Sequence, residues 1–167
     1  MPEKKRVCLK KMYTWIERFF NPEKDALYLI HAVVEVSSKN KIQKVIRAMR
    51  KNKLVRKYGI FIGENVKIGD NLKLPHPHGI VIGKDVEIGN DVIIYQNVTL
   101  GATRRGDEKK GLYPKIGDGC CIFAGSIIVG KVNVEDNVVV GANSVLLSDA
   151  QKDGVYVGTP AKMVNKR

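Results

Sequence analysis

From Ile60 onward the apolar positions recur every six residues. In register the chain reads IFIGEN, VKIGDN and LKLPHP, then, after a two-residue insertion at His78 and Gly79, IVIGKD, VEIGND, VIIYQN and VTLGAT. After a longer interruption come PKIGDG, CCIFAG, SIIVGK, VNVEDN, VVVGAN and SVLLSD, which makes thirteen hexads. Their third residue, from Ile62 through Leu100 to Leu146, is aliphatic every time. A strict six-residue period predicts a solenoid: each hexad makes one short strand and a turn, and its third side chain stacks inward on its equivalents above and below. Gly, Asn and Asp gather just after that residue, where the corner has to bend and positive φ is needed. With three flats to a coil, the hexads give roughly four coils at about 4.8 Å each. A β-sandwich is disfavoured, because its strands alternate with longer turn spacing and keep no six-residue register.

Upstream the period changes. Leu9, Met12, Tyr13, Ile16 and Phe20 recur at three- and four-residue spacing, as do Ile42, Val45, Ile46 and Met49. Both stretches predict amphipathic helices. Between them Asn21-Pro22 reads as a stop, and the run from Ala26 to Val34 as a third helix. The sequence therefore divides into a helical segment 1–58, a β-solenoid 59–150 interrupted by a loop at 104–113, and a tail 151–167 that packs on the solenoid. The fold class is mainly β with a short N-terminal α-helical appendage.

Charge sharpens this division. Residues 1–58 hold 16 of the 29 Lys and Arg but 5 of the 17 Asp and Glu, a net +11, whereas the other 109 residues carry +1. A basic segment on a neutral body points to an anionic surface, and membrane phospholipid is the candidate. Nucleic acid is not expected, because no strand carries interleaved basic and aromatic residues. No run of 18 apolar residues occurs and the N-terminus lacks a signal-type apolar core, so the expected location is cytoplasmic with a peripheral membrane contact. Cys8, Cys120 and Cys121 show no CxxC spacing and read as free thiols.

Four stretches carry a family resemblance: the hexad repeat, LPHPHGIVIG (Leu74 to Gly83), YQNVTLGA (Tyr95 to Ala102) and VGTPAKMV (Val157 to Val164). Together, over about residues 58–164, they resemble the serine acetyltransferase branch of the hexapeptide acyltransferases. The resemblance implies a left-handed parallel β-helix, a homotrimer, acetyl-CoA as the donor co-substrate and a hydroxyl as acceptor. Aligning GIVIG places His76 on the family's catalytic histidine, with Pro75 on the preceding aspartate and His78 on a threonine. Removing a hydroxyl proton near neutral pH suits an imidazole, so His76 is the candidate general base. On the donor side the resemblance points to Gly101, Ala102, Ala124 and Gly125 along a groove between subunits, and to Lys162 facing the nucleotide phosphates. Loops that break a solenoid commonly carry function, which makes Asp107, Glu108 and Tyr113, with His78, the candidate acceptor contacts.

Departures from the family bear on the acceptor. Where the family pairs an aspartate with its histidine this chain has Phe61; another family histidine is Gly63, and an Arg-His pair is Leu112-Tyr113. An amino acid needs opposite charges in its pocket, whereas a sugar needs neutral hydrogen-bond partners and an aromatic face. A sugar or surface-glycan precursor is thus the expected acceptor, with L-serine the alternative within the enzymes and a non-catalytic β-helix scaffold the alternative outside them. No metal is expected. A zinc site of the carbonic anhydrase kind needs three histidines, and only His76 and His78 lie within the helix.

Overall fold

A computed structural model of the protein describes Glu17 and residues 20–34, 41–103 and 111–166. The expected helix over Leu9–Phe20 falls almost wholly outside these residues, as do Asp107 and Glu108 of the loop. Downstream, α1 spans Pro22–Val34 and α2 spans Lys41–Tyr58. Asn21-Pro22 opens a helix here. The Lys24 amide donates to Asn21 Oδ1 at 3.2 Å, so Asn21 caps α1 and Pro22 takes its first turn, where a missing N–H costs nothing.

The hexads form the short parallel strands of a left-handed β-helix. Twelve of them, β1 (Phe61–Ile62), β2 (Lys67–Ile68), β3 (Val81–Ile82), β4 (Glu87–Ile88), β5 (Ile93–Ile94), β6 (Thr99–Gly101), β7 (Lys115–Ile116), β8 (Cys121–Ile122), β9 (Ile127–Val129), β10 (Asn133–Val134), β11 (Val139–Val140) and β12 (Val145–Leu146), are followed by a hairpin of β13 (Gly154–Gly158) and β14 (Ala161–Lys166). They stack into three sheets, β1-β3-β6-β9-β12, β2-β4-β7-β10 and β5-β8-β11-β13-β14, the three flats of a prism.

The inward ladder matches the hexad register: Ile62, Ile82, Leu100, Ile128 and Leu146 stack in the first sheet, Ile94, Ile122 and Val140 in the third. All are essentially inaccessible. Ile68 alone is only partly covered, because β2 is the edge strand of its sheet. The first hexad position is buried as well, from Ile60 and Val66 to Val132 and Val138, since residues one and three of a strand share a face. Corner chemistry falls on the sixth position. Asn65, Asn71, Asp85, Asp91, Asn97, Asn137 and Asn143 all have φ between 54° and 59°, and Gly119 and Gly125 take the same place at 67° and 71°. Asn65 donates to Asp85 at 2.9 Å and Asn137 to Asp153 at 3.0 Å, so these corners are hydrogen-bonded from coil to coil. On an outer face Lys67 and Lys115 hold Glu87 at 2.8 and 2.9 Å, and their hydrogen bonds bring its carboxyl down to about 2.

The helical segment packs on the N-terminal end of the prism. Ala26, Leu29, Ile30 and Val33 of α1 join Leu54 and Tyr58 of α2 in one core with Ile60 and Ile62. The stripe Ile42, Val45, Ile46 and Met49, by contrast, is exposed, so α2 is anchored by its C-terminal turns. Buried Asp25 accepts from Lys57 Nζ at 2.8 Å and from the Tyr58 hydroxyl at 3.0 Å. Burial acts to raise its carboxyl, but these two hydrogen bonds outweigh it and hold it below the usual aspartate range. A depressed carboxyl contributes stability that is present above its ordinary value near 3.8 and lost as pH falls through the lower folded value. Asp25→Ala should therefore cost about 1–3 kcal/mol at neutral pH, as a buried hydroxyl loses its acceptor. In paired thermal melts the gap between variant and wild type should narrow as pH drops below the carboxylate range; a gap that widens there would contradict the pairing.

Candidate active site

His76 stands at the corner between the third flat of the first coil and the first flat of the next, where the insertion breaks the hexad register. The His78 amide donates to the His76 carbonyl at 2.8 Å around buried Pro77, a tight bulge that leaves both imidazoles exposed. Three contacts tie this bulge to the helical segment. Glu23 Oε1 accepts from the Leu74 amide at 3.0 Å, the Gly79 amide donates to the Tyr58 carbonyl at 3.0 Å, and the Tyr58 ring meets His78 edge-on at 5.9 Å. Leu74 lies at the open edge of the first coil, where no strand below could take its N–H.

The corner above His76 is aromatic. Tyr95 lies 6.2 Å from the His76 ring and stacks on Phe123 at 5.1 Å and 7°. The same edge continues through Ala124 and Gly125 to Gly141, which faces Val157, and Val157 pairs with Lys162 on the closing hairpin. His76, Ala124, Gly125 and Lys162 thus share one edge of the prism. Tyr95, Phe123 and Gln96 are additions that the sequence pattern does not single out. Gln96 Oε1 is buried without a hydrogen-bond partner, which costs about 1–3 kcal/mol unless a donor arrives from outside the chain. The one signal for these residues is the fourth and fifth positions of hexads VIIYQN and CCIFAG, aromatic or amide where others carry Gly or Asp.

Gly101 and Ala102 belong elsewhere. Gly101 ends β6 and Ala102 follows it, so they flank the corner after the first flat, together with Tyr113. There a cavity of about 500 Å³ is lined by Lys51, Phe61, Gly63, Glu64, Gly83, Lys84, Ala102 and Tyr113. The structure thus gathers Phe61, Gly63 and Tyr113, three positions where the chain departs from the pattern it resembles, around one hollow. Their reasons differ. A Cβ on Gly63 would run into the Lys84 backbone, so glycine is a packing requirement there, whereas Gly125, with a φ of 71°, holds a corner place that Asn or Asp fills in other coils. A Cβ on Gly101 would meet nothing within 4 Å, so packing within the chain leaves this position open to an approaching molecule. Cys120, buried and with its thiol pushed up to about 11 by that burial, is unsuited to nucleophilic chemistry.

Similarity to known proteins bears on the fold and the family. A family model described as bacterial transferase hexapeptide (six repeats) matches residues 113–148. A serine acetyltransferase of Staphylococcus epidermidis is 40% identical over 108 residues, which are 65% of this chain and 50% of that protein. Among solved structures, a serine acetyltransferase from Vibrio cholerae aligns at TM-score 0.76 with 28% identity, over 87% of this chain and 55% of that one. A serine acetyltransferase in complex with CoA aligns at 0.69 with 30% identity, over 81% and 55%. The chain spans about half the length of the curated relatives it matches.

Proposed function

Because the chain belongs to the hexapeptide-repeat acyltransferase superfamily and is serine acetyltransferase-like within it, we propose that it transfers acetyl from acetyl-CoA to an acceptor hydroxyl, with His76 as general base. The observation that carries this reading is the edge running from exposed His76 past Ala124 and Gly125 to Lys162. His76 takes the acceptor's hydroxyl proton, and the alkoxide attacks the thioester carbonyl. Amides at the open turns stabilise the oxyanion, and the imidazolium returns its proton to the departing thiolate. Gly101 and Ala102 lie after a different flat from Ala124 and Gly125, so a groove using both pairs takes one from each of two neighbouring chains. A homotrimer supplies that arrangement. Gln96, with its unmet acceptor, faces the same problem and has the same solution.

On the acceptor, the names of the relatives favour L-serine over the saccharide expected from the sequence. The saccharide is the second reading, and one observation favours it: half-exposed Phe61 sits in the Tyr113 cavity where the family's carboxylate would be. The test is coenzyme A thiol release from acetyl-CoA with L-serine, free sugars and nucleotide sugars in parallel. Serine turnover establishes the first reading, saccharide turnover the second, and no turnover with any hydroxyl acceptor favours a binding scaffold. The basic helical segment is proposed to rest against anionic membrane, and equal sedimentation with neutral and anionic vesicles would refute that. No helix among the described residues is long and apolar enough to cross a membrane.

A further inference from the structure

α2 carries eight Lys and Arg between Lys41 and Tyr58 and no acidic residue. Most of these point to solvent, but three do not act singly. Lys44, Arg47 and Lys51 lie at spacings of three and four, hence on one helix face, and that face closes over the first corner of the solenoid. Together with Ala48 and Glu64 they line a hollow of about 310 Å³. Lys51 and Glu64 are shared with the Phe61–Tyr113 cavity, so the two hollows are contiguous. Lys84, one coil above Glu64, adds a fourth cation at their junction.

Among the described residues the cations here outnumber the acids. Glu64 is the one carboxylate lining either hollow among the described residues, against Lys44, Arg47, Lys51 and Lys84, and Asp85 lies 4.0 Å from Lys84. Arg47 Nε is buried and has no hydrogen-bond partner. Burial and the nearby Arg47 charge both press the Lys51 ammonium down, against the pull of Glu64. Holding two cations against each other, one with a buried donor unused, is costly unless an anion with several acceptor oxygens completes the site.

We propose that the Lys44–Arg47–Lys51 face is a binding site for the phosphoryl or diphosphate group of a phosphate-bearing acceptor, whose hydroxyl-bearing part extends into the Phe61–Tyr113 cavity. The acceptor part rests on the transferase reading and takes its saccharide form further; the anion site itself does not depend on it. The donor's own phosphates are an unsuitable occupant. Lys162, the residue that the family resemblance turns towards them, is on the hairpin at the C-terminal end of the prism, whereas this face lies at the N-terminal end, beside the first coils.

Titration calorimetry with inorganic pyrophosphate tests the site on the full chain, using wild type, Arg47→Gln, Lys51→Gln and Lys53→Gln. Lys53 has the same charge on the same helix but lines a separate hollow with Met49, Asn52, Arg56 and Lys57. Saturable binding should weaken about tenfold or more in the first two variants, as charge-assisted hydrogen bonds are lost, and stay unchanged in Lys53→Gln and in saturating CoA. Equal weakening in Lys53→Gln would reduce the site to diffuse surface charge. Abolition by CoA would reassign it to the donor, and absence of saturable binding would remove it. Pyrophosphate binding that survives in a protein without acetyl transfer would leave the anion site standing and overturn the transferase reading. In the activity panel, nucleoside-diphosphate sugars should be preferred to the free sugars and to L-serine, with Arg47→Gln raising KM rather than lowering kcat; equal turnover of the unphosphorylated acceptors would overturn the acceptor assignment alone.

Discussion

His76→Ala should abolish nearly all of the proposed acetyl transfer, lowering kcat by about 10²–10⁴-fold, the usual contribution of a general base. CoA binding, measured by calorimetry, should stay at the wild-type level, because, of the residues proposed to hold the donor, Ala124, Gly125 and Lys162 lie further along the edge and Gly101 and Ala102 lie at another corner. The variant should fold normally: the His76 side chain is exposed, and the bulge is held by the backbone, through the Leu74, His78 and Gly79 amides. A loss of less than about tenfold would deny His76 the role of base, since positioning alone leaves much of the rate intact. His78→Ala, which removes a candidate acceptor contact but not the base, is the comparison. Its ring packs edge-on against Tyr58, so its loss loosens the joint to the helical segment without removing the base, and the decline should appear in thermal stability first. No carboxylate stands at position 61 to orient His76. The nearest substitute is the aromatic wall of Tyr95, which restricts the ring by contact rather than by a charge.

How much of the molecule is legible in the sequence depends on the range of the interaction responsible. The solenoid is legible throughout, because its determinants are local and repeated: an aliphatic third residue and a sixth residue that tolerates positive φ, as at Asn65, Asp85 and Asn97. The second inward column, Ile60 to Val138, obeys the same alternation but is masked by Pro114, Cys120, Ser126 and Ser144 at equivalent places. Helix α1 is legible from its apolar run, whereas the role of Asn21-Pro22 as its cap is not, since the same pair reads equally well as a stop. Stop and start use the same residues, and only the position of the Lys24 N–H distinguishes them. The stripe on α2 is legible as a stripe, but the identity of its partner is not, and within this chain it has none among the described residues. The site is legible by resemblance at single residues and illegible as an arrangement. Nothing in the order Gly101, Tyr113, Ala124 says that the first two flank one corner and the third another. That separation arises from which flat each hexad occupies, counted modulo three from Ile60, and the insertions at 78–79 and 104–113 have to be placed before the count can be made. Charge is legible as a sum over residues 1–58, but not that Lys44, Arg47 and Lys51 converge on Glu64.

Leu100→Ala should cost about 2–5 kcal/mol in chemical denaturation, the range for truncating a fully buried leucine that leaves a cavity. Leu100 is completely inaccessible and is stacked between Ile82 and Ile128 in the middle of the first sheet, with further coils on both sides. A prism whose walls each send in a single layer of side chains has no second layer to move in, so collapse around the gap would have to draw the coils together against their own hydrogen-bond spacing. The expected cost is therefore in the upper part of the range. Thr99→Ala, one residue earlier on the same strand and pointing outward, should change stability by no more than about 0.5 kcal/mol. The contrast tests the alternation directly, because both substitutions alter one strand in one register. Since each coil touches only its neighbours, amide exchange in Leu100→Ala should rise first in β3 and β9, the strands that flank β6, and least in α1. Exchange that rises equally in α1 would mean that the helical segment and the solenoid unfold as one unit, and equal destabilisation by the two substitutions would mean that the third-position ladder is not what holds the coils together.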